Sequence, residues 1–260
     1  MKTKTYLIMS IALLMGVSAW AQAPAAVSVY DDCSKNGKTE DIRHSIGEEN
    51  GHTWVDLGLT SGTKWASCNV GATTPEESGS HYAWGETAPK KKYWWNPYKY
   101  ANSAADKLTK YCTNAHYGNG IEKDGVTYGF IDNKTTLDPW DDAAHVNWGG
   151  DWRMPTDAEW TELREQCTWT WTTQNGVKGC QVTSKTNSNS IFLPAAGERC
   201  DGMLRHASND GEPGPYGFYW SSSLFEIRPD GAWNVCFTED SVYRRSTSRF
   251  YGFSVRPVCQ

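Results

Sequence analysis

The chain has 260 residues, and its 30 acidic residues outnumber its 25 lysines and arginines, which gives a formal net charge of −5. A chain this acidic has no overall attraction for nucleic acid or for anionic membranes, so neither is expected as a partner. It has 14 Trp, 13 Tyr and 24 Gly beside few aliphatic residues, which predicts a strand-rich, loop-rich fold whose core is filled largely by rings.

Residues 1–21 have the pattern of a cleaved secretory signal peptide. Lys2 and Lys4 give a positive start, residues 6–17 form an uncharged apolar stretch, and residues 19–21 supply a small-x-small cleavage site. The apolar stretch is shorter than the about 20 residues that a membrane-spanning helix needs, and no second stretch of that length follows. We therefore predict an exported protein that is periplasmic, on the cell surface or extracellular, with no integral membrane segment after signal cleavage.

All eight cysteines follow the predicted signal peptide, and an even number of cysteines in an oxidising compartment predicts disulfides. Cys167 and Cys180 flank a Thr/Trp-rich stretch and are the favoured local pair, and Cys236 and Cys259 could bridge two late strands. Eight cysteines allow about 105 complete pairings, so the sequence leaves the connectivity open. Because no Cys/His spacing is typical of a zinc site, no metal and no cofactor are expected.

The first elements of the folded domain are predicted to follow a polar arm. Residues 22–50 are charged and unpatterned, which is typical of a linker or N-terminal arm, and the domain is predicted to cover residues 51–260. Residues 53–58 and 63–68 are two short strand patterns around a Ser-Gly turn and predict a hairpin. Residues 71–135 are predicted to be mostly loop.

Three helices are predicted in the middle of the chain. A short one could begin at Ser103, which has capping-box spacing to an aspartate three residues later. A second is predicted from Asp138 to a Gly-Gly pair, with proline in its first turn. The third has the clearest start, because Thr156 is a good N-cap and Glu159 completes a capping box.

The rest of the chain is predicted to consist of strands and turns. Three hairpins are predicted, which pair residues 178–184 with 190–195, 216–224 with 232–238, and 241–246 with 250–258. Together the elements predict an α+β domain, in which two or three helices pack on short antiparallel strands joined by long irregular loops.

Several motifs resemble those of the Fibrobacter succinogenes major paralogous domain. The strongest is Asn-Trp-Gly-Gly-Asp-Trp-Arg-Met-Pro-Thr-Asp-Ala-Glu-Trp at residues 147–160. The others, which occur in the family's order between residues 51 and 260, lie at 54–59, 61–66, 69–72, 83–87, 141–144, 191–197, 219–223 and 252–258. The resemblance implies a C-type-lectin-like fold, which that family shares with formylglycine-generating enzymes.

The same resemblance points to a binding segment near the C-terminus. Members of the family include variable proteins of diversity-generating retroelements, in which the stretch before a terminal Gly-Phe strand is mutated. The corresponding stretch here is residues 241–251, whose Tyr, Ser and Arg content is typical of binding loops. With the end of the 219–223 strand and the 226–233 turn, it gives these predicted ligand-binding residues: Trp220, Ser222, Glu226, Arg228, Trp233, Tyr243, Arg244, Arg245, Ser246, Ser248, Arg249, Phe250 and Tyr251.

Two other chemistries are disfavoured by the residues present. Formylglycine-generating relatives need closely spaced cysteines, others bind iron through His-x3-His-x-Glu, and neither pattern occurs here. Glu159 could act as a general acid, but its capping position accounts for it. The calcium-dependent lectin tripeptides have only partial counterparts at 212–214 and 233–235, each of which lacks an oxygen ligand that calcium requires.

Two segments have structural interpretations beside the functional ones. The aromatic and lysine-rich run at residues 90–100 could form a platform for a glycan, but packing beneath a long loop is favoured because a chain short of aliphatics must bury its rings. Residues 243–251 could also be an exposed edge strand protected by charge, although Tyr and Arg favour an interface. Arg256 in the terminal strand is expected to be structural.

The sequence therefore predicts an exported, non-catalytic binding protein for an unknown protein or glycan ligand. Two alternatives stay open at this point. One is a metal-dependent cysteine oxidase related to formylglycine-generating enzymes, and the other is a structural subunit of a surface appendage.

Overall fold

Strands dominate the part of the chain that the structure, a computed structural model, describes: residues 45–207 and 215–260. Strand accounts for 40% of these residues and helix for 9%. The α-helices are α1 (Ala143–Trp148) and α2 (Asp157–Gln166). The strands are β1 (Ile46–Glu49), β2 (His52–Asp56), β3 (Lys64–Ala66), β4 (Gly120–Lys123), β5 (Val126–Gly129), β6 (Cys167–Gln174), β7 (Val177–Ser184), β8 (Ser190–Pro194), β9 (Ala196–Cys200), β10 (Met203–Ala207), β11 (Gly217–Leu224), β12 (Gly231–Phe237), β13 (Val242–Ser248) and β14 (Val258–Cys259).

The strands form several sheets that curl into a half-barrel. The largest has the order β10-β9-β11-β12-β13, a second has the order β1-β2-β3-β14, β6-β7-β8 form a third, and β4-β5 make a separate hairpin. Neighbouring strands pair antiparallel except β9 and β11, which meet in parallel at Gly197 and Gly217. The predicted signal peptide and most of the predicted arm lie outside the described residues. The part of the arm that is described forms β1, which pairs with β2.

The predicted α+β class, with two or three helices packed on short strands as in a C-type-lectin-like fold, is wrong, because the described residues are mostly β. At the predicted first helix the backbone forms a bend and a turn, and Ser103 has a φ of 64°, outside the helical region. The helix predicted from Asp138 is divided. A single 3-10 turn at Pro139–Asp141 precedes α1, whose N-cap is Asp142.

Six strands were not predicted: β1, β4, β5, β6, β9 and β10, of which β6 is the longest. It pairs with β7 along its whole length, from Cys167 opposite Ser184 to Gln174 opposite Val177. Its Thr and Trp residues alternate, which is the period of a strand, and both residue types favour strands. Trp169 and Trp171 fall on one face and pack on a phenylalanine of β12, at ring distances of 5.7 and 6.4 Å.

The predictions that depended on adjacent residues are confirmed. β2 and β3 form the first hairpin, β7 and β8 another, and β11 and β12 a third. The capping box of α2 is complete, because the Thr156 hydroxyl accepts from the backbone N–H of Glu159 and the Glu159 carboxylate accepts from that of Thr156. Trp160 and Leu163 of α2 are buried.

The predicted last hairpin is wrong. β13 pairs with β12 along its whole length, from Phe237 opposite Val242 to Gly231 opposite Ser248. The chain after β13 enters the core, where Phe253 is fully buried, and it ends as β14 against β3. A strand pattern specifies which side chains are buried but not which strand is the partner, so the long-range pairing was not available from the sequence.

Rings fill the core, as the composition predicts. One cluster of buried residues includes Trp84, Trp152 and Trp220, and Trp220 stacks on Phe253 with ring centroids 4.2 Å apart. A second cluster is built around Trp65 and includes Trp160, Tyr219 and Phe237. Strand alternation sends Tyr219 and Trp220 to opposite faces of β11, so this strand separates the two clusters.

Arg256 is structural, as predicted. Its guanidinium is fully buried and donates to the Asn69 side chain and to the carbonyls of Ala66, Ser67 and Phe192, at 2.7–2.9 Å. Within the described ranges, no helix is long and apolar enough to cross a membrane.

Candidate functional site

Strand alternation divides the predicted binding segment between two faces of the largest sheet. The β12–β13 register places Ser246 opposite Trp233 and Arg245 opposite Asn234. Opposed residues in an antiparallel pair share a face, so Arg244, Ser246 and Ser248 lie on the Trp233 face. Tyr243 and Arg245 lie on the other face with Asn234.

Four of the predicted binding residues belong to the interior. Trp220, Ser222, Arg249 and Phe250 are all buried. The indole N–H of Trp220 donates to the Tyr82 carbonyl at 2.8 Å, which fixes the ring in the core. These four residues cannot form a ligand-binding face unless the core opens.

Arg249 supports the turn between β11 and β12 from the interior of the protein. Its side chain has no exposed surface, and its guanidinium donates to the Tyr98 hydroxyl at 3.0 Å and to the carbonyls of Lys110, Tyr111 and Pro229 at 3.1, 2.8 and 3.0 Å. The Pro229 carbonyl belongs to the turn between β11 and β12. Arg249 is therefore a positioning residue that ties this turn to the preceding loop.

The turn between β11 and β12 is closed by its own backbone. Phe225 N–H donates to the Gly231 carbonyl at 3.1 Å, Gly231 N–H donates to Arg228 at 2.9 Å, and Arg228 N–H donates back to Phe225 at 3.1 Å. The Thr113 hydroxyl adds a bond of 2.6 Å to the carbonyl of Glu226, whose side chain is exposed. These hydrogen bonds fix the backbone of the turn and therefore the directions in which its side chains leave it.

A small polar cavity lies between this turn and β13. We call it the turn–strand cavity. It has a volume of about 100 Å³ and is lined by Phe225, Arg228, Asp230, Gly231, Ser246, Thr247 and Ser248. The share of liquid volume taken by one water is about 30 Å³, so the cavity can hold a few waters or one small polar group of a ligand. Three of its lining residues, Arg228, Ser246 and Ser248, were predicted as binding residues.

Asp230 is the unusual group in this cavity. It is only 6% exposed, and its Oδ2 accepts from the Arg228 guanidinium at 3.1 Å. Its Oδ1 is buried without a hydrogen-bond partner among the described residues. The negative charge of Asp230 raises the pKa of Arg228. A buried unpaired acceptor costs about 1–3 kcal/mol, so an incoming N–H or O–H group would be favoured here.

A row of stacked side chains runs beside the cavity. The Arg244 guanidinium lies over the Trp233 ring, with its central carbon 3.2 Å from the ring centroid, and the Trp233 ring packs edge-on against Phe225 at 4.7 Å. Arg244 Nε also donates to Asp157 Oδ1 at 2.6 Å, at the start of α2. The row offers an aromatic and guanidinium surface in a defined orientation.

The opposite face of the sheet holds the other half of the predicted segment. The Cys236 thiol donates to the Tyr243 hydroxyl at 3.2 Å, and burial raises the pKa of Tyr243 to about 12. Burial also raises the pKa of Tyr251 to about 12. Arg245 is exposed, lies 5.7 Å over the Phe218 ring, and has no carboxylate within ion-pair distance in the described structure. None of these residues lines the turn–strand cavity.

Four contributors to the site were not predicted as site residues: Phe225, Asp230, Gly231 and Thr247. Asp230 lies inside the predicted 226–233 turn, where the Pro-Asp-Gly sequence is a turn signal. That signal accounts for the turn but does not show that the carboxylate is buried. Asp157, which accepts from Arg244, likewise was not predicted as a site residue.

The structure does not bring Cys167 and Cys180 together. The β6–β7 register places Cys167 opposite Ser184 and Cys180 opposite Trp171, an offset of four strand residues or about 13 Å. A disulfide requires Cα atoms within about 7 Å. Burial raises the pKa of the Cys167 thiol to about 11 and that of Cys180 to about 12. The other predicted partners, Cys236 and Cys259, lie on strands of different sheets and carry free thiols.

Glu159, which was considered as a general acid, has a structural role. Glu159 forms a salt bridge of 2.6 Å with Arg153. Burial opposes its ionisation, but the hydrogen bonds from Arg153 and Thr156 prevail and lower the pKa of Glu159. In residues 45–207 and 215–260, no group of three or more His, Cys, Asp and Glu is placed to hold a metal ion. The predicted partial calcium motif at 212–214 lies outside the described residues.

The aromatic run at residues 90–100 is mainly packing, as favoured from the sequence. Tyr93, Tyr98 and Tyr100 are buried, and the Tyr98 hydroxyl donates to the Trp84 carbonyl at 2.7 Å. Trp94 is 45% exposed but still packs on Phe250 at 4.8 Å.

Comparison with protein-family models, with curated proteins and with solved structures gave no match. The resemblance stated from the motifs therefore stays a prediction, and function has to be argued from the site itself.

Proposed function

We propose that the chain is an exported, non-catalytic ligand-binding protein, and that the turn–strand cavity with the adjoining Trp233–Arg244 pair contacts the ligand. The observation that carries the proposal is the buried, unpaired Oδ1 of Asp230 inside a turn whose backbone is already closed. A ligand donor that reaches this oxygen would satisfy a buried acceptor, and the closed turn limits the ordering cost of binding.

The chemistry of the cavity favours a ligand group that carries an N–H or O–H. Asp230 supplies an acceptor, Ser246 and Ser248 can donate or accept, and Arg228 is a charged donor at the rim. The Trp233–Arg244 pair adds an apolar and cationic surface next to these groups, a composition typical of binding hot spots. A hydroxyl, amide or amine of a glycan or of a protein fits this arrangement.

The test begins with a ligand selected from an array of glycans and a display library of peptides. Affinity for that ligand is then measured for wild type, Asp230→Asn and Ser246→Tyr. Asp230→Asn keeps the shape but replaces the charged acceptor, and Ser246→Tyr fills the cavity. Because a hydrogen bond to a charged group contributes about 1.5–3 kcal/mol, we expect both variants to bind roughly 10- to 100-fold more weakly.

Arg244→Gln and Arg245→Gln are a matched pair on the same strand. Both arginines are exposed, but only Arg244 lies on the face of the cavity and stacks on Trp233. Arg244→Gln should weaken binding, whereas Arg245→Gln should leave the affinity within about twofold. Equal losses in the pair, or unchanged binding by the two cavity variants, would refute this site.

The two alternative functions, an appendage subunit and a metal-dependent cysteine oxidase, predict different results with the same purified protein. Stable self-assembly without any selected ligand would favour the appendage subunit. Copper- or iron-dependent oxidation of a cysteine peptide would favour the enzyme.

Diversification of the C-terminal segment forms part of the proposal. If it occurs, varied positions should be those whose side chains reach solvent on β13, such as Arg244, Arg245, Ser246 and Ser248, and should spare the buried Arg249. A nearby reverse-transcriptase gene with an adenine-rich near-copy of this coding region would support it. Variation centred on Arg249 would contradict it.

A further inference from the structure

A second cleft in the described residues is larger than the turn–strand cavity, lies away from it and shares no lining residue with it. It has a volume of about 540 Å³ and is lined by Gly79, Ser80, His81, Pro89, Lys90, Lys91, Tyr93, Arg199 and Gly202. Ligand pockets for small molecules typically measure about 300–1,000 Å³, so this cleft has the size of a whole ligand and not of a single functional group.

The floor of the cleft is rigid. His81 is buried and its Nε2 lies 3.1 Å from the Ala196 carbonyl, which can only accept, so this nitrogen carries the hydrogen. The buried Tyr93 hydroxyl donates to the His81 carbonyl at 2.5 Å and accepts from the Lys90 N–H at 3.2 Å. Burial lowers the pKa of His81 to about 4, so the ring is neutral near pH 7.

The charges at the cleft are all positive. None of the lining residues is Asp or Glu. Lys90 is neutralised by a salt bridge of 2.8 Å to Glu86, which is not a lining residue of the cleft. The side chains of Lys91 and Arg199 have no ion pair or hydrogen bond within the part of the chain that is described. Burial lowers the pKa of His81, with a smaller contribution in the same direction from the charge of Arg199. Burial raises the pKa of Tyr93, and the charge of Arg199 opposes that rise.

Two unpaired cations that face one concave site are unexpected in a chain with a net charge of −5. Arginine presents a fork of donors that suits the oxygens of a carboxylate, sulfate or phosphate, and lysine adds a point charge. Low-dielectric walls concentrate the field of such charges in the cleft. The predominantly polar lining suits a polar ligand better than an apolar one.

We propose that this cleft binds a small polar molecule that carries an oxyanion, with Arg199 and Lys91 gripping the charged group. Carboxylate, sulfate and phosphate share the feature that this cleft suits, which is a negatively charged group of oxygens that accept hydrogen bonds. This proposal does not depend on the turn–strand cavity, and each site can fail without the other.

The test uses four probes with one sugar scaffold: glucose 6-phosphate, glucose 6-sulfate, glucuronate and uncharged glucose. Binding is measured by titration calorimetry at constant ionic strength, set with chloride. We expect at least one charged probe to bind with 1:1 stoichiometry and at least tenfold more tightly than glucose. The ranking of the three charged probes identifies the anion type.

Comparing probe affinity between cleft variants and a control variant tests whether the probe binds in the cleft. Arg199→Gln and Lys91→Gln should each weaken the best probe by at least fivefold, while Lys123→Gln, which removes an exposed lysine of β4, should leave it within twofold. Because the Arg199 guanidinium has no described partner, Arg199→Gln should shift the melting temperature by less than about 2 °C, so lost binding would not reflect unfolding. The proposal is overturned if no charged probe binds better than glucose, or if all three variants behave alike.

Discussion

At the scale of single residues, burial separates arginines that the sequence groups together. Arg244, Arg245 and Arg249 lie within six positions and share an interface-like context. The first two are exposed, whereas Arg249 is fully buried and bonded to one hydroxyl and three backbone carbonyls. A segment rich in Tyr, Ser and Arg can therefore be recognised from composition, but the role of each arginine depends on the strand register.

Arg249→Leu should destabilise the fold strongly. The substitution keeps an apolar stem but leaves several buried acceptors without donors, and each unsatisfied group costs about 1–3 kcal/mol, so a loss on the order of 4 kcal/mol is expected. Urea unfolding measures the change in the free energy of unfolding. Arg245→Leu is the control, because Arg245 is exposed and a substitution at the surface should change the free energy of unfolding by less than about 0.5 kcal/mol. Similar small losses in both variants would contradict the positioning role of Arg249.

His81 should make the stability depend on pH in a defined window. Burial, with a further contribution from the charge of Arg199, lowers its pKa from 6.5 to about 4. The unfolded chain therefore binds a proton near pH 6.5, while the folded chain does so only near pH 4. The contribution of His81 to stability is complete above pH 6.5 and is lost as the pH falls toward 4, by up to about 3 kcal/mol.

His81→Gln isolates this contribution, because glutamine does not titrate and can still donate to the Ala196 carbonyl. Unfolding by urea at pH 7 and at pH 4.5 should show that wild type loses more stability than the variant between the two values. The carboxylate of Asp141, whose pKa is lowered to about 2 despite its burial by hydrogen bonds from Lys110, Tyr100 and Tyr111, titrates below this window. Parallel losses in wild type and variant would exclude His81 as the source.

At the scale of elements, the sequence predicts structures that depend on neighbouring residues, but it does not predict which distant strands pair. The capping box at Thr156 and Glu159 and the hairpins β2–β3, β7–β8 and β11–β12 depend on neighbouring residues and follow from the sequence. The partner of β13 does not, because its pattern fits either the preceding or the following strand. This choice decides the candidate site, since only pairing with β12 places Ser246 opposite Trp233 beside the turn.

The helix content shows a second limit of local signals. Ser103 and Asp106 have the spacing of a capping box, yet no helix forms there, because a cap stabilises a helix only where an apolar face can be buried. α2 has such a face, with Trp160 and Leu163 in the second core cluster. The predicted α+β class failed because capping signals were weighed without that requirement.

At the scale of the whole molecule, two ring-filled clusters share the strands β11 and β12. Alternate residues of β12, such as Cys236 and Phe237, enter different clusters. Both faces of these central strands are covered, so the exposed margins of this sheet include the turn after β11 and the edge strand β13. The composition predicts a core filled by rings. Which strands and turns remain exposed beside that core depends on the strand order, which the composition does not give.

The same topology makes a prediction about the thiols. Cys167 and Cys180 are buried and offset along neighbouring strands, and burial raises their pKa values to about 11 and 12. Because the thiolate is the reactive form, both should resist iodoacetamide in the folded protein at pH 7.5. Both should be alkylated at once when guanidinium is added without any reductant, since no mutual disulfide protects them.

Mass spectrometry of peptides from the exported protein checks this outcome. Cys68, which is partly exposed and has a free thiol, is the internal control and should be alkylated faster than the other two under native conditions. A peptide pair that joins Cys167 to Cys180 would require the β6–β7 register to shift by about four residues, which would move Trp169 and Trp171 away from Phe237. Detection of that pair would therefore overturn the register as well as the thiol assignment.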